Sequence, residues 1–357
     1  MYKIGMVWTW GAFSILAILL PPLFAADQQS TDQSAPSPPG TLMNAGGHRL
    51  HINCQGKGSP TVVMEAGAGD FSFDWSLVQP EVARFTRACA YDRAGYAWSD
   101  PGPTPRTMRQ IVTELHAGLL GAGIKGPYVL VGHSLGGLLV RVYASQYPKE
   151  VAGIVLIDSS HEDMLIHLTD QATREEKVVR FRELSRGRPV PPVQPAAQNS
   201  ASPGKSQEAR PPSSTQLKLE APFDKLPLNA QRMRLWAMSQ PNYTPARISE
   251  FDFLPEELAR LHADRGGRKH SLGSMPLIVL TRRIREYDSG DQSAERQLDE
   301  SHKRLQADLT TLSNNSKQIV AKNSGHHIHL DEPGLVVDAI RQVVNASRRR
   351  TKLVRYE

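Results

Sequence analysis

The sequence predicts an α/β fold with a mostly parallel sheet, helices on both faces, and an inserted, mostly helical segment. Short apolar strands alternate with helical patterns over residues 47–160, and the alternation resumes at residue 272 after a stretch of different composition. The segments YVLVGHS and AGIVLIDSS contain near-continuous apolar runs, as expected for strands in the middle of a parallel sheet. We therefore expect one core domain built from two pieces of the chain.

Residues 1–26 have the pattern of a secretory signal. Lys3 is followed by a long apolar run that ends in small residues, and a polar sequence comes next. We predict that the signal is cleaved, because Pro21 and Pro22 would interrupt a membrane-spanning helix. The alternative is an uncleaved anchor that tethers the protein to a membrane through residues 4–26.

The next segment, residues 27–46, is rich in Pro and Ser and is predicted to be a flexible linker. The net charge of +6 over 357 residues is too modest to indicate nucleic-acid binding. The basic stretch SRRRTKLVR near the end is typical of a solvated terminus. We expect an exported protein, periplasmic or secreted, that acts on a small molecule.

The first part of the core, residues 47–160, contains five predicted strands. They lie in RLHINCQG, PTVVMEAGAG, TRACAYDR, YVLVGHS and AGIVLIDSS. Between the last two strands, apolar side chains recur at i, i+3, i+4, i+7 and i+8, which indicates one buried helical face. The residues concerned are Leu135, Leu138, Leu139, Val142 and Tyr143.

An insertion follows at residues 161–271, and substrate choice is expected to lie there. DQATREEKVVRFRELSRG, LPLNAQRMRLWAMSQP and LPEELARLHADRGG are predicted to be helical. Residues 187–216 are rich in Pro with almost no large apolar side chains, and we predict that they are disordered. Met233, Trp236 and Met238 either line a substrate pocket or pack the insertion on the core.

The second part of the core and the basic tail occupy residues 272–357. Strands are predicted in MPLIVLTRR (275–283) and KQIVAKNSGHH (317–327), with a long helix between them in SAERQLDESHKRLQADLTTLS. PGLVVDAIRQVVNAS is predicted to be a further helix.

Ser134 stands where a buried strand runs into a helix, between Gly132 and Gly136. This is the G-x-S-x-G pattern of a nucleophile elbow in its required context. Such a turn is strained and crowded by neighbouring backbone, so side chains at the two glycine positions would collide with it. We therefore predict Ser134 to be a nucleophile.

A serine hydroxyl needs a base, and NSGHHIHLDEP after the last strand supplies His326, His327 and His329. We predict His326 as the base, because it directly follows Gly325 on the loop that leaves the strand. No matching Cys or carboxylate spacing accompanies the three histidines, so a zinc site is not expected.

The acid that orients the base is predicted to be Asp158, at the end of the strand GIVLID. Asp288, beyond LIVLTRRIREY, is the main alternative, and Glu286 and Asp291 are two others. A structural role for Asp158, as a helix cap or loop tie, also competes with the catalytic one. The oxyanion donors are predicted to be the backbone N–H groups of Leu135 and Ala68.

Together these motifs resemble the α/β-hydrolase superfamily, in its lidded single-domain branch. VLVGHSLGG is similar to the superfamily's elbow, AYDRAGYAWSDPG to the loop after its fourth strand, and SGHHIHLDEP to its histidine loop. The resemblance covers residues 47–160 and 272–345. It implies a mostly parallel eight-stranded sheet, Ser134 as nucleophile, His326 as base, and Leu135 and Ala68 as oxyanion donors.

Two departures from the superfamily bear on the acid and the oxyanion loop. The common His-Gly of that loop is Ala66-Gly67 here, and TRRIREYD does not match the usual G-x-x-D acid turn. The second departure raises the weight of Asp158. The superfamily's sheet order also puts the second strand beside the fourth, which implies a disulfide between Cys54 and Cys89.

The function expected from these features is that of a serine hydrolase acting on a carboxylic ester or related acyl compound. The alternatives are amide, lactone or C–C bond hydrolysis on the same triad, and a non-catalytic binding protein of the same fold. No metal and no organic cofactor is implied.

Overall fold

The computed structural model describes residues 36–169, 176–194, 219–285 and 291–353, so the predicted signal lies outside the described residues. These residues contain ten β-strands, namely β1 (Thr41–Asn44), β2 (Arg49–Gln55), β3 (Thr61–Glu65), β4 (Ala88–Tyr91), β5 (Tyr128–His133), β6 (Val151–Ile157), β7 (Leu165–Thr169), β8 (Glu176–Arg180), β9 (Leu277–Arg282) and β10 (Ser316–Ala321). The same ranges contain the helices α1 (Gln79–Ala83), α2 (Met108–Gly121), α3 (Leu135–Gln146), α4 (Leu228–Met238), α5 (Tyr243–Ser249), α6 (Leu254–Arg265), α7 (Gln292–Leu309), α8 (Ile328–Asp331) and α9 (Pro333–Arg349).

The predicted sheet is confirmed and has eight strands in the order β1-β2-β4-β3-β5-β6-β9-β10. The strands from β4 to β10 in this order run parallel, whereas β2 is antiparallel to both β1 and β4. Helices α2 and α3 cover one face, and α1 and α9 cover the other. Because the sheet is buried on both faces, its central strands β3, β5 and β9 are buried at every position.

Helix α9 shows how the sequence pattern creates this packing. Five of its apolar residues fall at helical spacing on one stripe and are buried against the sheet. Each such side chain stabilises the fold by about 1.5–3 kcal/mol relative to an exposed one. They are Val336, Val337, Ile340, Val343 and Val344.

Two predictions of local structure were wrong in part. The linker predicted for residues 27–46 includes β1, because Met43 is buried and the segment pairs with the edge of β2. The helix predicted in DQATREEKVVRFRELSRG is replaced in its described part by strand β8 and a 3-10 turn. There, the β-branched Val178 and Val179 pair with β7 across a two-stranded hairpin.

The disorder predicted for residues 187–216 was wrong at its start. Arg188 forms an ion pair with Glu256, and the backbone N–H of Gln194 donates to the side-chain oxygen Oε1 of Gln110 at 2.8 Å. These polar contacts order residues 187–194 without an apolar core. The remainder of the tract lies outside the described residues.

Within the described ranges, no helix is long and apolar enough to cross a membrane.

The predicted disulfide is confirmed: Cys54 in β2 and Cys89 in β4 are register partners and are bonded. The bond closes a loop with a sequence separation of 35. In the chain-entropy model, a loop of this length stabilises the fold by about 4 kcal/mol.

We predict that reduction lowers the free energy of unfolding by about this amount. Denaturant titrations with and without reductant would measure the change, with the double variant C54A/C89A as control. Reductant should leave the stability of that variant unchanged. Equal stability of the wild-type protein in both conditions, with two thiols titrated after reduction, would contradict the prediction.

Candidate active site

Ser134 is held in the strained turn that the flanking glycines predicted. It caps α3 at φ 52° and ψ −119°, a backbone conformation that residues other than glycine rarely adopt. A Cβ atom at Gly132 would stand 2.4 Å from the Gly136 carbonyl oxygen, and one at Gly136 would stand 2.5 Å from the Glu65 carbonyl oxygen. Both positions therefore require glycine for steric reasons.

The turn is tied to the neighbouring strand by backbone hydrogen bonds. The Ser134 N–H donates to the Ile157 carbonyl at 3.1 Å, and the Ser134 carbonyl accepts from the Ser160 N–H at 3.0 Å. Asp158 lies between these two partners, directly after β6. The elbow and the end of β6 are thus fixed relative to each other.

His326 lies on the loop after β10 and contacts the predicted acid. Its Nδ1 is 2.6 Å from Asp158 Oδ2. The loop is held from two sides: His133 Nε2 donates to the His326 carbonyl oxygen at 3.0 Å, and Asp331 Oδ2 accepts from the Gly325 N–H at 3.0 Å. Because His133 is the last residue of β5, the histidine loop is fastened directly beside Ser134.

Asp158 is buried and serves several donors besides His326. Its Oδ1 accepts from His302 Nε2 at 2.9 Å and from the Arg282 N–H at 3.1 Å. The Arg282 guanidinium also bonds to Oδ2. Of the alternative acids, Asp291 caps α7 through the Ser293 N–H, whereas Glu286 and Asp288 lie outside the described residues.

The two other histidines of the loop are also placed. His327 packs edge-on against Phe223 of the inserted segment, with ring centroids 4.8 Å apart, and its Nε2 lies 4.0 Å from Asp70 Oδ2. His329 is buried, with its ring 4.7 Å from that of Trp75. Of the three histidines of this loop, His326 is therefore the one that contacts Asp158.

The segment after β3, residues 66–70, approaches the elbow closely and is called the oxyanion loop below, after the role predicted for Ala68. A Cβ atom at Gly136 would stand 2.7 Å from the Ala66 carbonyl oxygen. A Cβ atom at Gly67 would stand 2.7 Å from Asp70 Oδ2 and 2.8 Å from His133 Nδ1, so a larger residue there would displace these two buried side chains. Leu135 is the first residue of α3 and Ala68 follows Gly67, so the structure holds the two predicted donors on adjoining segments.

Ser134, Asp158, His326 and the oxyanion loop therefore all follow the carboxyl ends of sheet strands, β5, β6, β10 and β3 respectively. In open α/β sheets this edge is where ligands bind. The arrangement contains a hydroxyl, an imidazole, a carboxylate and backbone donors, which are the groups that acyl transfer requires.

Comparisons with known proteins agree with this architecture. Residues 62–339 match the model of the alpha/beta hydrolase family. The chain belongs to the alpha/beta hydrolase family. The uncharacterized protein YqjL of Bacillus subtilis is 27% identical over 289 residues, which cover 81% of this chain and 85% of YqjL.

Solved structures of lower identity share the fold. An esterase from Thermogutta terrifontis superposes with a TM-score of 0.54 at 20% identity, covering 86% of this chain and 98% of the esterase. A variant of the Vigna radiata epoxide hydrolase superposes with a TM-score of 0.57 at 16% identity, covering 85% of this chain and 98% of the epoxide hydrolase. This α/β hydrolase is thus a hydrolase enzyme by family and by fold.

The electrostatics of this α/β hydrolase keep the acid charged and the imidazole neutral. Burial alone would raise the pKa of Asp158, but the Arg282 guanidinium, His302 and His326 outweigh it and hold that pKa well below its usual range. Burial lowers the pKa of His326 below its ordinary 6.5; nearby His133 and Arg282 act in the same direction, and Asp158 opposes them.

These shifts predict the acid limb of the pH profile. Only neutral His326 can accept a proton, so activity should be lost as pH falls through its lowered pKa. The limb of kcat/KM should therefore have its midpoint below pH 6.5. Initial rates from pH 4 to 8 at low substrate concentration would measure it. A midpoint above 6.5, in an enzyme still folded at pH 5 by circular dichroism, would contradict this assignment.

Two residues of the site, Arg282 and His302, were not anticipated from the sequence. Arg282 ends β9, and His302 lies in the middle of α7, within a run of charged residues that any exposed helix could carry. A signal existed for Arg282, since the end of β9 must lie beside the end of β6 in a parallel sheet. No local pattern distinguishes His302 from a solvated residue.

Met233, Trp236 and Met238 pack the inserted segment on the core, which was the second of the two interpretations. All three contact a buried aromatic cluster that includes Phe71, Phe73 and Tyr96. The Trp236 ring lies 5.0 Å from that of Trp98.

Proposed function

We propose that this α/β hydrolase is an exported serine hydrolase that cleaves a carboxylic ester or a related acyl compound through an acyl-enzyme. One observation carries the proposal: Ser134 is presented at positive φ on an elbow whose backbone is bonded to residues on both sides of Asp158, and Asp158 lies 2.6 Å from His326 Nδ1. A strained serine and an oriented base at one sheet edge are the parts that nucleophilic acyl transfer needs.

The reaction follows from the roles of these groups. Ser134 Oγ attacks the carbonyl carbon while His326 Nε2 takes the hydroxyl proton, and Asp158 stabilises the imidazolium. The N–H groups of Leu135 and Ala68 are the donors assigned to the developing oxyanion. His326 then returns the proton to the leaving alcohol, which gives the acyl-enzyme. Water, activated by the same histidine, releases the acid and restores Ser134.

The nucleophile distinguishes this reaction from other chemistry on the same fold. Ring opening of an epoxide by the alkyl-enzyme route requires a carboxylate at the elbow, and Ser134 supplies a hydroxyl. Amide, lactone or C–C bond substrates would pass through the same acyl-enzyme, so the nature of the leaving group is a separate question.

Export is supported by two independent features. The N-terminal residues have the pattern of a secretory signal, and Cys54 and Cys89 are joined in a disulfide. Disulfides persist mainly in oxidising compartments. Fractionation of cells that express the full chain, with detection of the processed N-terminus by mass spectrometry, would test this part of the proposal.

The enzymatic proposal is tested by direct capture of the nucleophile. The purified protein is treated with a fluorophosphonate probe, and the modified peptide is identified by mass spectrometry. Labelling should fall on Ser134, and a panel of p-nitrophenyl esters of increasing acyl length should be hydrolysed. Absence of labelling in folded protein, or labelling of another serine alone, would overturn the proposal.

A further inference from the structure

The sequence motif AYDRAGYAWSDPG contains a buried arginine, Arg93, that takes no part in the proposed reaction steps. Arg93 follows β4 and is 2% exposed. A guanidinium has five N–H donors, and each one has an acceptor here. The N–H of Nε and one N–H of Nη2 donate to the Glu250 carboxylate, at 2.6 and 3.2 Å. The other three reach Glu65 Oε1 at 2.9 Å, the Ala66 carbonyl at 2.9 Å and the Gly67 carbonyl at 2.8 Å.

The two carbonyl contacts fix the direction of the neighbouring N–H groups. In a trans peptide the C=O of one residue and the N–H of the next point in opposite directions. Because Arg93 binds the carbonyls of Ala66 and Gly67, the N–H groups of Gly67 and Ala68 point away from the guanidinium. Rotation of either peptide plane would break a hydrogen bond to a buried, charged donor, which is costly.

The same guanidinium joins the oxyanion loop to the inserted segment. Glu250 follows α5 and is buried, and it also accepts from the Tyr96 hydroxyl at 2.9 Å. Two further residues of the inserted segment hold the loop: the Tyr243 hydroxyl donates to the Gly69 carbonyl at 2.9 Å, and Arg234 Nη2 to Asp70 Oδ1 at 3.2 Å. The loop is thus bound from the core and from the insertion at once.

We propose that Arg93 is a positioning residue that sets the peptide planes of the oxyanion loop and couples them to Glu250 of the inserted segment. The proposal rests on the proposed function, since it concerns how the Ala68 N–H is aimed at the oxyanion. Arg93 itself contacts no reacting atom. Its role is preorganisation: the donor does not have to be turned toward the charge as that charge develops.

Lysine cannot take this role. An ammonium is a compact charge with three donors, whereas the two carbonyls and Glu250 are held by a rigid planar fork. Arg106 offers a matched control, because it is equally buried and forms a two-pronged ion pair with Glu114 at 2.6 Å per bond. It binds no carbonyl of the oxyanion loop among the described residues, so its loss should affect stability alone.

The experiment compares R93K with R106K in the full chain, using p-nitrophenyl acetate. R93K should lower kcat by about 10²-fold, as expected for a lost oxyanion donor, and change KM by less than about three-fold. R106K should keep kcat within about three-fold of the wild-type value. Thermal unfolding of both variants shows whether their losses of stability match, so that a general loss of packing cannot explain a difference in kcat.

A second variant, E250Q, keeps Arg93 and its carbonyl contacts but removes the charge that anchors the guanidinium. It should lower kcat by about 10-fold, and it decides the question if R93K does not fold. Labelling of wild-type Ser134 by the fluorophosphonate probe separates the two proposals. If the wild-type enzyme is labelled but folded R93K, or E250Q in its place, keeps the kcat of R106K, the role of Arg93 is overturned and the proposed function stands. If wild-type Ser134 is not labelled, both fail.

Discussion

Replacement of Ser134 by Ala should abolish fluorophosphonate labelling and lower kcat for ester hydrolysis by about 10⁴-fold or more. Alanine keeps the Cβ atom and the strained backbone of the elbow but removes the attacking oxygen, so no acyl-enzyme can form. The residual rate would come from the oxyanion donors and from substrate binding. The measurement is steady-state hydrolysis of p-nitrophenyl esters, together with the intact mass of the protein after probe treatment.

The matched control is S239A. The Ser239 hydroxyl donates only a local hydrogen bond, to the Trp236 carbonyl at the end of α4, so its removal should leave both readouts near the wild-type values. Circular dichroism should show S134A folded, because the side chain lost is small. Undiminished labelling or hydrolysis in S134A would show that another group is the nucleophile.

Replacement of Asp158 by Asn should lower kcat by about 10³- to 10⁴-fold. The amide can no longer balance the imidazolium that forms at His326, and it can hold the imidazole in the wrong tautomer. The change also removes the carboxylate of the buried ion pair between Asp158 and Arg282, so stability should fall as well. Stopped-flow or steady-state kinetics measure the first effect and denaturant unfolding measures the second.

D288N and D291N provide the comparison for the acid. Asp291 serves as a helix cap, so D291N should affect stability slightly and kcat little. D288N should also keep its activity if Asp158 is the acid. An active D158N enzyme together with an inactive D288N enzyme would reverse the assignment. H302A is informative beside them: loss of the donor to Asp158 should change the acid limb of the pH profile while Ser134 remains reactive.

Much of the sheet edge could be predicted because its signals are local. The glycines around Ser134 are required by atoms within a few residues or by the adjoining strand, and the histidine loop directly follows the last strand of the sheet. Asp158 could be named because the end of a parallel strand necessarily lies at the same edge. The contact between β2 and β4 came from the resemblance to a superfamily with that strand order, and it located the disulfide.

The parts that were missed depend on contacts distant in sequence. Val178 and Val179 lie in a charged run that suits a helix, and only pairing with β7 makes them a strand. Residues 41–44 follow a Pro- and Ser-rich segment that is typical of a linker, and they form a strand because they pair with the edge strand β2. In both cases a weak local preference was overridden by partners elsewhere in the chain.

By itself, the sequence determined the class of fold and the positions of Ser134 and His326, because backbone crowding at the elbow and strand order act through near neighbours. Only the tertiary structure decided that Asp158 also binds His302 and Arg282, and that Arg93 spans the oxyanion loop and Glu250. The physical reason is that a buried charge requires partners of opposite charge, which the folded chain can supply from any part of the sequence. Arg93 and Glu250 are 157 positions apart, so no local sequence pattern predicts their contact.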